Sequence, residues 1–250
     1  MRCAHAGGTA ATPVRTVYEA AISLVFPRRC PLCDNPVDPY GAYVCDDCRN
    51  KAVYVTGATC YKCGKPLDDE SREYCEDCAG SSHLYDRGMA LYEYRSVSDS
   101  IYGFKYKGRR EYADWYGIEM AEHMGRRILQ LHPEVLVPVP IHESKKRARG
   151  YNQASLIAHR LSEHLGIPVR DDLIQRIKRT APLKDLTPSE RNLILRGAFK
   201  LGVNDVKLKS IMVIDDIYTT GATIDAVAEV FVQHGVERIY FATLAIGKGV

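Results

Sequence analysis

The sequence has 250 residues, 46% of them hydrophobic and 26% charged, a composition typical of a globular protein of one or two domains. No apolar run is long enough to cross a bilayer, so no membrane span is expected. The formal net charge of +3 is too small to indicate nucleic-acid binding by itself. The N-terminus lacks the pattern of a secretory signal, because Arg15 and Glu19 interrupt its apolar stretch.

Residues 1–27 predict a short amphipathic helix. Its apolar positions recur at helical spacing and form one face: Val14, Val17, Tyr18, Ala21, Ile22 and Val25. Cys3 stands ahead of this face and is expected to be a free thiol.

Eight further cysteines lie between residues 28 and 83 in four C-x-x-C pairs. They are Cys30, Cys33, Cys45, Cys48, Cys60, Cys63, Cys75 and Cys78. The sequence around them repeats every thirty residues, which predicts two all-cysteine sites, each formed by one repeat and holding one structural Zn²⁺. The alternatives are a cross-braced pairing of the same cysteines, disulfides, or an iron–sulfur cluster. Zinc thiolate sites favour a reducing, cytoplasmic location.

The stretch from residue 211 to 223 changes character twice. Residues 211–214 are apolar and predict a buried strand of a parallel sheet, and Asp215 and Asp216 are expected just after its carboxyl end. A small, hydroxylated loop follows and leads into a helix: Thr219, Thr220, Gly221, Ala222 and Thr223. A loop that opens into a helix N-terminus is suited to a phosphate, so the two acids need another part of the ligand, such as sugar hydroxyls or a divalent cation. The alternative is a solvated Asp-Asp turn.

The middle of the chain alternates strands and helices. We predict a strand over 87–94, a helix over 98–107, and a longer amphipathic helix in which Trp115 belongs to the core. Five tyrosines lie near the cations of this region and form either a core stripe or a surface for stacking bases: Tyr92, Tyr94, Tyr102, Tyr106 and Tyr112.

A strand over 134–140 runs into a basic segment with four cations beside Gly150 and a helix start. These are Lys145, Lys146, Arg147 and Arg149. They form either a second anion site, suited to pyrophosphate, or a solvated basic loop.

Two resemblances follow from these motifs. The segment 211–223 resembles the ribose-5-phosphate signature of type I phosphoribosyltransferases. Nearly the whole chain resembles the ComF competence-protein family, through the opening 26–33, the segment Phe104-Lys105-Tyr106-Lys107-Gly108, the segment Arg147 to Ala154, and the block 186–199. One departure is Leu183, at a position where the family usually has glutamine.

The resemblance implies an α/β fold, type I phosphoribosyltransferase-like, with a mostly parallel sheet flanked by helices at 84–250 behind a two-zinc ribbon module at 28–83. It implies that Asp215 and Asp216 contact the ribose 2′ and 3′ hydroxyls, that the loop 219–223 holds the 5′-phosphate, and that Mg²⁺ accompanies phosphoribosyl pyrophosphate. It also implies a role in DNA uptake during natural competence, either with retained transferase chemistry at the ribose C1 or as a non-catalytic protein that handles single-stranded DNA with partners. No residue stands out as a general base for an acceptor.

Overall fold

The computed structural model describes residues 27–39, 41–178, 194–195, 197–202 and 207–247. The predicted N-terminal helix, Leu183 and the block 186–192 therefore lie outside the described residues. Among the helices of the described residues, none combines the length and apolarity needed to span a membrane.

The described elements are two short helices followed by alternating strands and helices. In chain order they are α1 (Asp46–Arg49), α2 (Glu76–Ala79), β1 (Arg87–Glu93), α3 (Tyr94–Tyr106), α4 (Tyr112–Gln130), β2 (Val135–Pro138), α5 (Glu143–Arg149), α6 (Gln153–Leu165), β3 (Ile174–Arg176), β4 (Phe199–Leu201), β5 (Ser210–Tyr218), α7 (Ala222–Gln233) and β6 (Arg238–Ile246).

The central sheet has four strands in the order β1-β6-β5-β2, and every neighbouring pair is parallel. Strands β3 and β4 form a separate antiparallel pair. The predicted α/β fold with a mostly parallel sheet is thus confirmed. In such sheets the carboxyl ends of all strands lie at one edge, where ligands bind.

Helices cover both faces of this sheet because its strands are apolar on both sides. Met212 and Ile214 of β5 pack in one core with α4 and α6, whereas Ile211 and Val213 pack in the other core with α7. All four side chains are fully buried. Each contributes roughly 1.5–3 kcal/mol relative to an exposed side chain, so the strand that carries the acid pair is a rigid support.

Three sequence predictions are corrected in detail. Strand β5 does not stop before the acids but continues to Tyr218, because β6 extends the ladder as far as the Tyr218–Ile246 pair. Helix α3 begins at Tyr94 rather than 98, directly after β1. The basic segment is not a loop but the helix α5, which ends at Gly150 in a left-handed conformation with φ of 82°.

The zinc module covers the free edge of β1. The backbone N–H of Val55 donates to Leu91 at 2.9 Å, the N–H of Glu93 donates to Val53 at 2.9 Å, and the N–H of Gly88 donates to Lys62 at 2.7 Å. These bonds pair backbone groups that an edge strand would otherwise expose to solvent or to another chain. The module is therefore attached to the sheet itself.

The two repeats of the module share a knuckle whose turn requires a left-handed residue. The N–H of Cys30 donates to Asn35 and the N–H of Cys60 donates to Lys65, both at 2.8 Å. The left-handed residue is Asp34 in the first repeat (φ 59°) and Gly64 in the second (φ 76°). A side chain at the second position would collide with β1, since a Cβ on Gly64 would lie 2.9 Å from the backbone of Gly88. Glycine is therefore required only in the second repeat.

Candidate functional site

Each repeat of the zinc module brings its own four cysteines together. One group is Cys30, Cys33, Cys45 and Cys48, the other is Cys60, Cys63, Cys75 and Cys78, and within each group all sulfur atoms lie within 4.8 Å of one another. The sulfurs of Cys63 and Cys75 are 3.7 Å apart. Tetrahedral zinc with Zn–S bonds of about 2.3 Å needs a similar spacing. The sequential pairing is confirmed and the cross-braced one is wrong, and both donor sets fit closed structural zinc sites.

The first zinc knuckle is bonded to the loop that follows α3. The carboxylate of Asp34 accepts hydrogen bonds from Arg109 Nε at 2.6 Å and the Tyr112 hydroxyl at 2.8 Å, and Lys107 Nζ lies 3.6 Å away. Burial alone would raise the pKa of Asp34, but the bonds from Arg109 and Tyr112 hold it below its usual value. The carboxylate therefore stays charged and fixes the end of α3 relative to the first ribbon.

Asp215 and Asp216 lie within β5 at the carboxyl edge of the sheet. Since successive strand residues face opposite ways, Asp215 is on the α7 face and Asp216 on the face covered by α3 and α4. Asp216 accepts a hydrogen bond from Lys105 Nζ at 2.8 Å, and the side chains of these two residues are only 14% and 18% exposed. The backbone N–H of Asp216 donates to Asp215 Oδ1 at 2.8 Å.

The two acids have different electrostatic environments. Burial and the adjacent charge of Asp216 raise the pKa of Asp215 to about 7, although Lys105 and Arg176 oppose this shift. Burial lowers the pKa of Lys105, but the bonded carboxylate of Asp216 more than offsets it and leaves that pKa above its usual value. The pair therefore holds negative charge ready for hydroxyl donors or a divalent cation, with one member that gains a proton near neutrality.

The hydroxylated loop connects β5 to α7 and forms the N-terminus of that helix. Thr219 and Thr220 form the turn, Gly221 is the N-cap with φ of 84°, and Ala222 and Thr223 begin the helix. The Oγ1 atom of Thr220 is buried and has no hydrogen-bond partner among the described residues. A buried hydroxyl normally has a partner. The Thr220 hydroxyl and the free N–H groups at the start of α7 can therefore donate hydrogen bonds to an anion.

The four predicted cations lie on α5. Lys146 and Arg147 are exposed, while Lys145 and Arg149 are partly buried. Arg149 donates to Gln153 Oε1 at 2.9 Å, and its guanidinium lies 4.8 Å from the ring centre of Tyr106. Cations at a helix C-terminus also stabilise their own helix. Arg149 thus connects α5 to the end of α3, next to Lys105.

The five tyrosines divide between core and surface, with Tyr94 partly buried against the core. Tyr92 and Tyr112 are buried, whereas Tyr102 and Tyr106 are 56% and 61% exposed. The rings of the exposed pair lie 5.0 Å apart. The core interpretation therefore holds for Tyr92 and Tyr112, and a smaller aromatic pair remains on the surface. Trp115, at 3% exposure, belongs to the core as predicted.

Two residues near the acid pair were not singled out as site residues from the sequence. Lys105 is brought to Asp216 by α3, and its only sequence signal is its place in the segment 104–108. Arg176 of β3 acts on the charge of Asp215, while its guanidinium lies 5.3 Å from the ring centre of Phe199. No local motif marks it, because β3 reaches the acid pair only through the tertiary fold.

Comparison with protein-family models finds two matches. Residues 21–79 match the double zinc ribbon domain, and residues 151–249 match the phosphoribosyl transferase domain. The first covers both cysteine groups, and the second covers α6, the acid pair and the hydroxylated loop. The chain thus combines a double zinc ribbon with a phosphoribosyltransferase-type domain.

Curated relatives are competence and DNA-utilization proteins. The chain is 35% identical to competence protein F of Haemophilus influenzae, over 45% of this chain and 50% of that protein. It is 29% identical to competence protein ComFC of Bacillus subtilis, over 77% of this chain and 79% of that protein. It is 30% identical to DNA utilization protein YhgH of Salmonella typhimurium, over 46% of this chain and 51% of that protein. The chain thus spans about half the length of the Haemophilus and Salmonella relatives.

Among solved structures, the chain is similar to a purine phosphoribosyltransferase from Pyrococcus horikoshii. The identity is 22%, the aligned part covers 54% of this chain and 72% of that one, and the TM-score is 0.32. A similarity of this extent supports no residue-level comparison.

Proposed function

Because the chain belongs to the ComF competence-protein family, we propose that it binds phosphoribosyl pyrophosphate with Mg²⁺, or a related ribose-5-phosphate ligand, and serves DNA uptake. Relatives named for competence and DNA utilization support the cellular role. Eight thiols arranged as two zinc sites support a cytoplasmic location.

The main support for this proposal is that two different binding surfaces follow one another, the first at the end of β5 and the second at the N-terminus of α7. Asp215 and Asp216 offer carboxylate oxygens at the edge of the sheet, and three residues later the phosphate loop (residues 219–223) begins. A ribose 5-phosphate presents hydroxyls and a phosphate on one small molecule. The hydroxyls suit the acids, and the phosphate suits the helix N-terminus.

The remaining charges suit a pyrophosphate with its metal. Carboxylate oxygens of the acid pair would help to hold Mg²⁺, and the metal would supply positive charge for the pyrophosphate leaving group at C1 of the ribose. Lys105 lies on the acid pair, and Lys145, Lys146, Arg147 and Arg149 lie on α5, whose contact with Tyr106 places it beside the end of α3. The proposal concerns binding; transfer to an acceptor would additionally need a general base for that acceptor.

Calorimetric titration of the full chain with phosphoribosyl pyrophosphate, with and without Mg²⁺, tests the proposal. The wild type should bind only with Mg²⁺, and the double variant Asp215→Asn/Asp216→Asn should lose binding. A matched control is Asp171→Asn/Asp172→Asn, an adjacent acid pair on the surface whose side chains are 46% and 54% exposed. Absence of binding to a folded, zinc-loaded wild type would contradict the proposal.

A second candidate function is the handling of single-stranded DNA without catalysis. The exposed pair Tyr102 and Tyr106, with Arg149 over the second ring, is an aromatic and cationic surface of the kind on which bases stack. Binding of an oligonucleotide should then weaken steeply as salt rises and should fall in Tyr106→Ala. Binding of phosphoribosyl pyrophosphate should instead depend on the concentration of Mg²⁺.

A further inference from the structure

The segment that joins the second zinc ribbon to β1 passes along the first turn of α7. His83 Nδ1 donates to Asp225 Oδ2 at 2.7 Å, and the backbone N–H of Leu84 donates to Asp225 Oδ1 at 2.9 Å. The His83 side chain is only 5% exposed. The Asp225 carboxylate, in the first turn of the helix that follows the phosphate loop, is therefore held by one donor from the last residue of the zinc module and one from the residue after it.

His83 also lies directly against the phosphate loop. A Cβ placed on Gly221 would lie 3.0 Å from His83 Cε1 and 2.8 Å from the hydroxyl of Tyr218. The Cα of Gly221, in the middle of the loop, therefore packs on these two side chains. The loop backbone is therefore packed against buried side chains, and one of them, His83, is the last residue of the zinc module.

A layer of aromatic side chains connects His83 and Tyr218 to the second zinc site. Tyr85 stacks on His83 with ring centres 4.8 Å apart, and its hydroxyl lies 2.7 Å from the hydroxyl of Tyr218. Both tyrosines are buried in the same core as the four cysteines of the second ribbon. The second zinc site, the tyrosine pair and the phosphate loop thus form one continuously packed unit.

From this packing we propose that the second zinc ribbon positions the phosphate loop, with His83 and Tyr85 as the positioning residues. The inference rests on the proposed function, because it assumes that a ligand phosphate binds in this loop. His83 acts through its Nδ1 bond to Asp225, and Tyr85 acts through its hydroxyl bond to Tyr218. The zinc module then contributes to ligand binding without touching the ligand.

The His83 side chain allows this role to be separated from direct contact. Its Nε2 atom is buried and has no hydrogen-bond partner among the described residues. Asparagine can replace the Nδ1 donor, and glutamine can place an amide near Nε2. Recovery by asparagine therefore indicates positioning through Asp225, whereas recovery by glutamine alone would indicate a contact between Nε2 and the ligand.

The test compares His83→Ala, His83→Asn, His83→Gln and Tyr85→Phe in the full chain. We expect His83→Ala and Tyr85→Phe to weaken binding of Mg²⁺-phosphoribosyl pyrophosphate about tenfold, the effect of losing one buried hydrogen bond. His83→Asn should recover most of the affinity, and the zinc content should remain two ions per chain. The matched control is His159→Ala, which removes another His–Asp bond of 2.7 Å from an exposed site on α6.

A second measurement keeps this inference separate from the identity of the ligand. Without any ligand, His83→Ala should speed amide hydrogen exchange in residues 219–225 at unchanged zinc content, and His83→Asn should restore the wild-type rate. If the wild type fails to bind the ligand, the proposed function fails while the exchange result still decides the positioning role. Unchanged exchange in His83→Ala, or rescue by glutamine but not asparagine, would overturn the inference.

Discussion

Asp215 shows how one residue can make ligand binding depend on pH. Its neighbours in β5 are buried hydrophobic residues, and Asp216 adds a second negative charge beside it. Both effects disfavour its carboxylate, so its pKa rises to about 7 from an ordinary value near 4. Between these two values the folded protein holds a proton on Asp215 that the unfolded chain has lost. The stabilising effect of this proton is lost as the pH rises through 7.

Affinity for the ribose ligand should therefore increase as the pH rises from 6 to 8. The carboxylate is the better acceptor for sugar hydroxyls and the ligand for Mg²⁺, so protonation below the pKa should reduce affinity by up to about tenfold per pH unit. Titration calorimetry at several pH values, with Asp215→Asn for comparison, isolates this contribution from ionisation of the ligand. An identical pH profile in the variant would contradict the assignment.

Gly221→Ala should damage the phosphate loop for two independent reasons. The residue has φ of 84°, where a side chain costs about 1–2 kcal/mol, and its Cβ would lie 2.8 Å from the Tyr218 hydroxyl. We expect lower stability by chemical denaturation and weaker ligand binding. Gly235→Ala is a matched control, because it has φ of 83° but nothing within 4 Å of the added Cβ. Equal losses of affinity in both variants would show that only backbone strain matters.

At the scale of elements, helix α3 brings a cation to the acid pair. It follows β1 directly and ends at Tyr106, so Lys105 reaches Asp216 from the last turn. Asp34 of the first zinc knuckle holds the loop after this helix through Arg109. The Lys105–Asp216 bond and the Arg109–Asp34 bond together hold the C-terminal end of α3 in place, so Lys105 stays next to the acid pair.

Lys105→Met should shift the pH dependence of binding to higher pH. The Lys105 charge lowers the pKa of Asp215, so its removal should raise that pKa further and delay formation of the carboxylate. Methionine keeps a similar length and tests the charge alone. The measurement is the midpoint of binding against pH, compared with that of Lys209→Met, a lysine just before β5 whose side chain is 69% exposed. A midpoint equal to that of the wild type would argue against this coupling.

In the molecule as a whole, each zinc ribbon packs into a different one of the two hydrophobic cores that flank the sheet. Cys30 and Cys48 pack with the core that contains α4 and α6, whereas the second cysteine group packs with the core that contains α7. The strand-like segment between the ribbons covers the edge of β1. Loss of zinc should therefore affect the sheet domain and not only the ribbons.

Removal of zinc by a strong chelator should lower the melting temperature of the entire chain in one cooperative transition. The metal contributes to folding directly, and its removal leaves buried thiols in both cores. Thermal unfolding followed with and without chelator, together with metal analysis, provides the test. Cys3→Ser should retain two zinc ions, whereas Cys63→Ser should retain fewer. An unchanged sheet-domain transition in the zinc-free chain would contradict this integration.

Features whose signals are local in the chain follow from the amino-acid sequence alone. Cysteine spacing predicted the zinc ligands and favoured sequential over cross-braced pairing, and the apolar run before Asp215 predicted a strand of a parallel sheet that leads into a helix, because both depend on residues close in the chain. Three features depend on contacts between residues that are distant in the chain, and only the folded structure shows them. They are the extension of β5 along β6, the approach of Lys105 and Arg176 to the acids, and the packing of His83 against Gly221. These depend on which elements the folded sheet places side by side, and no local pattern records that.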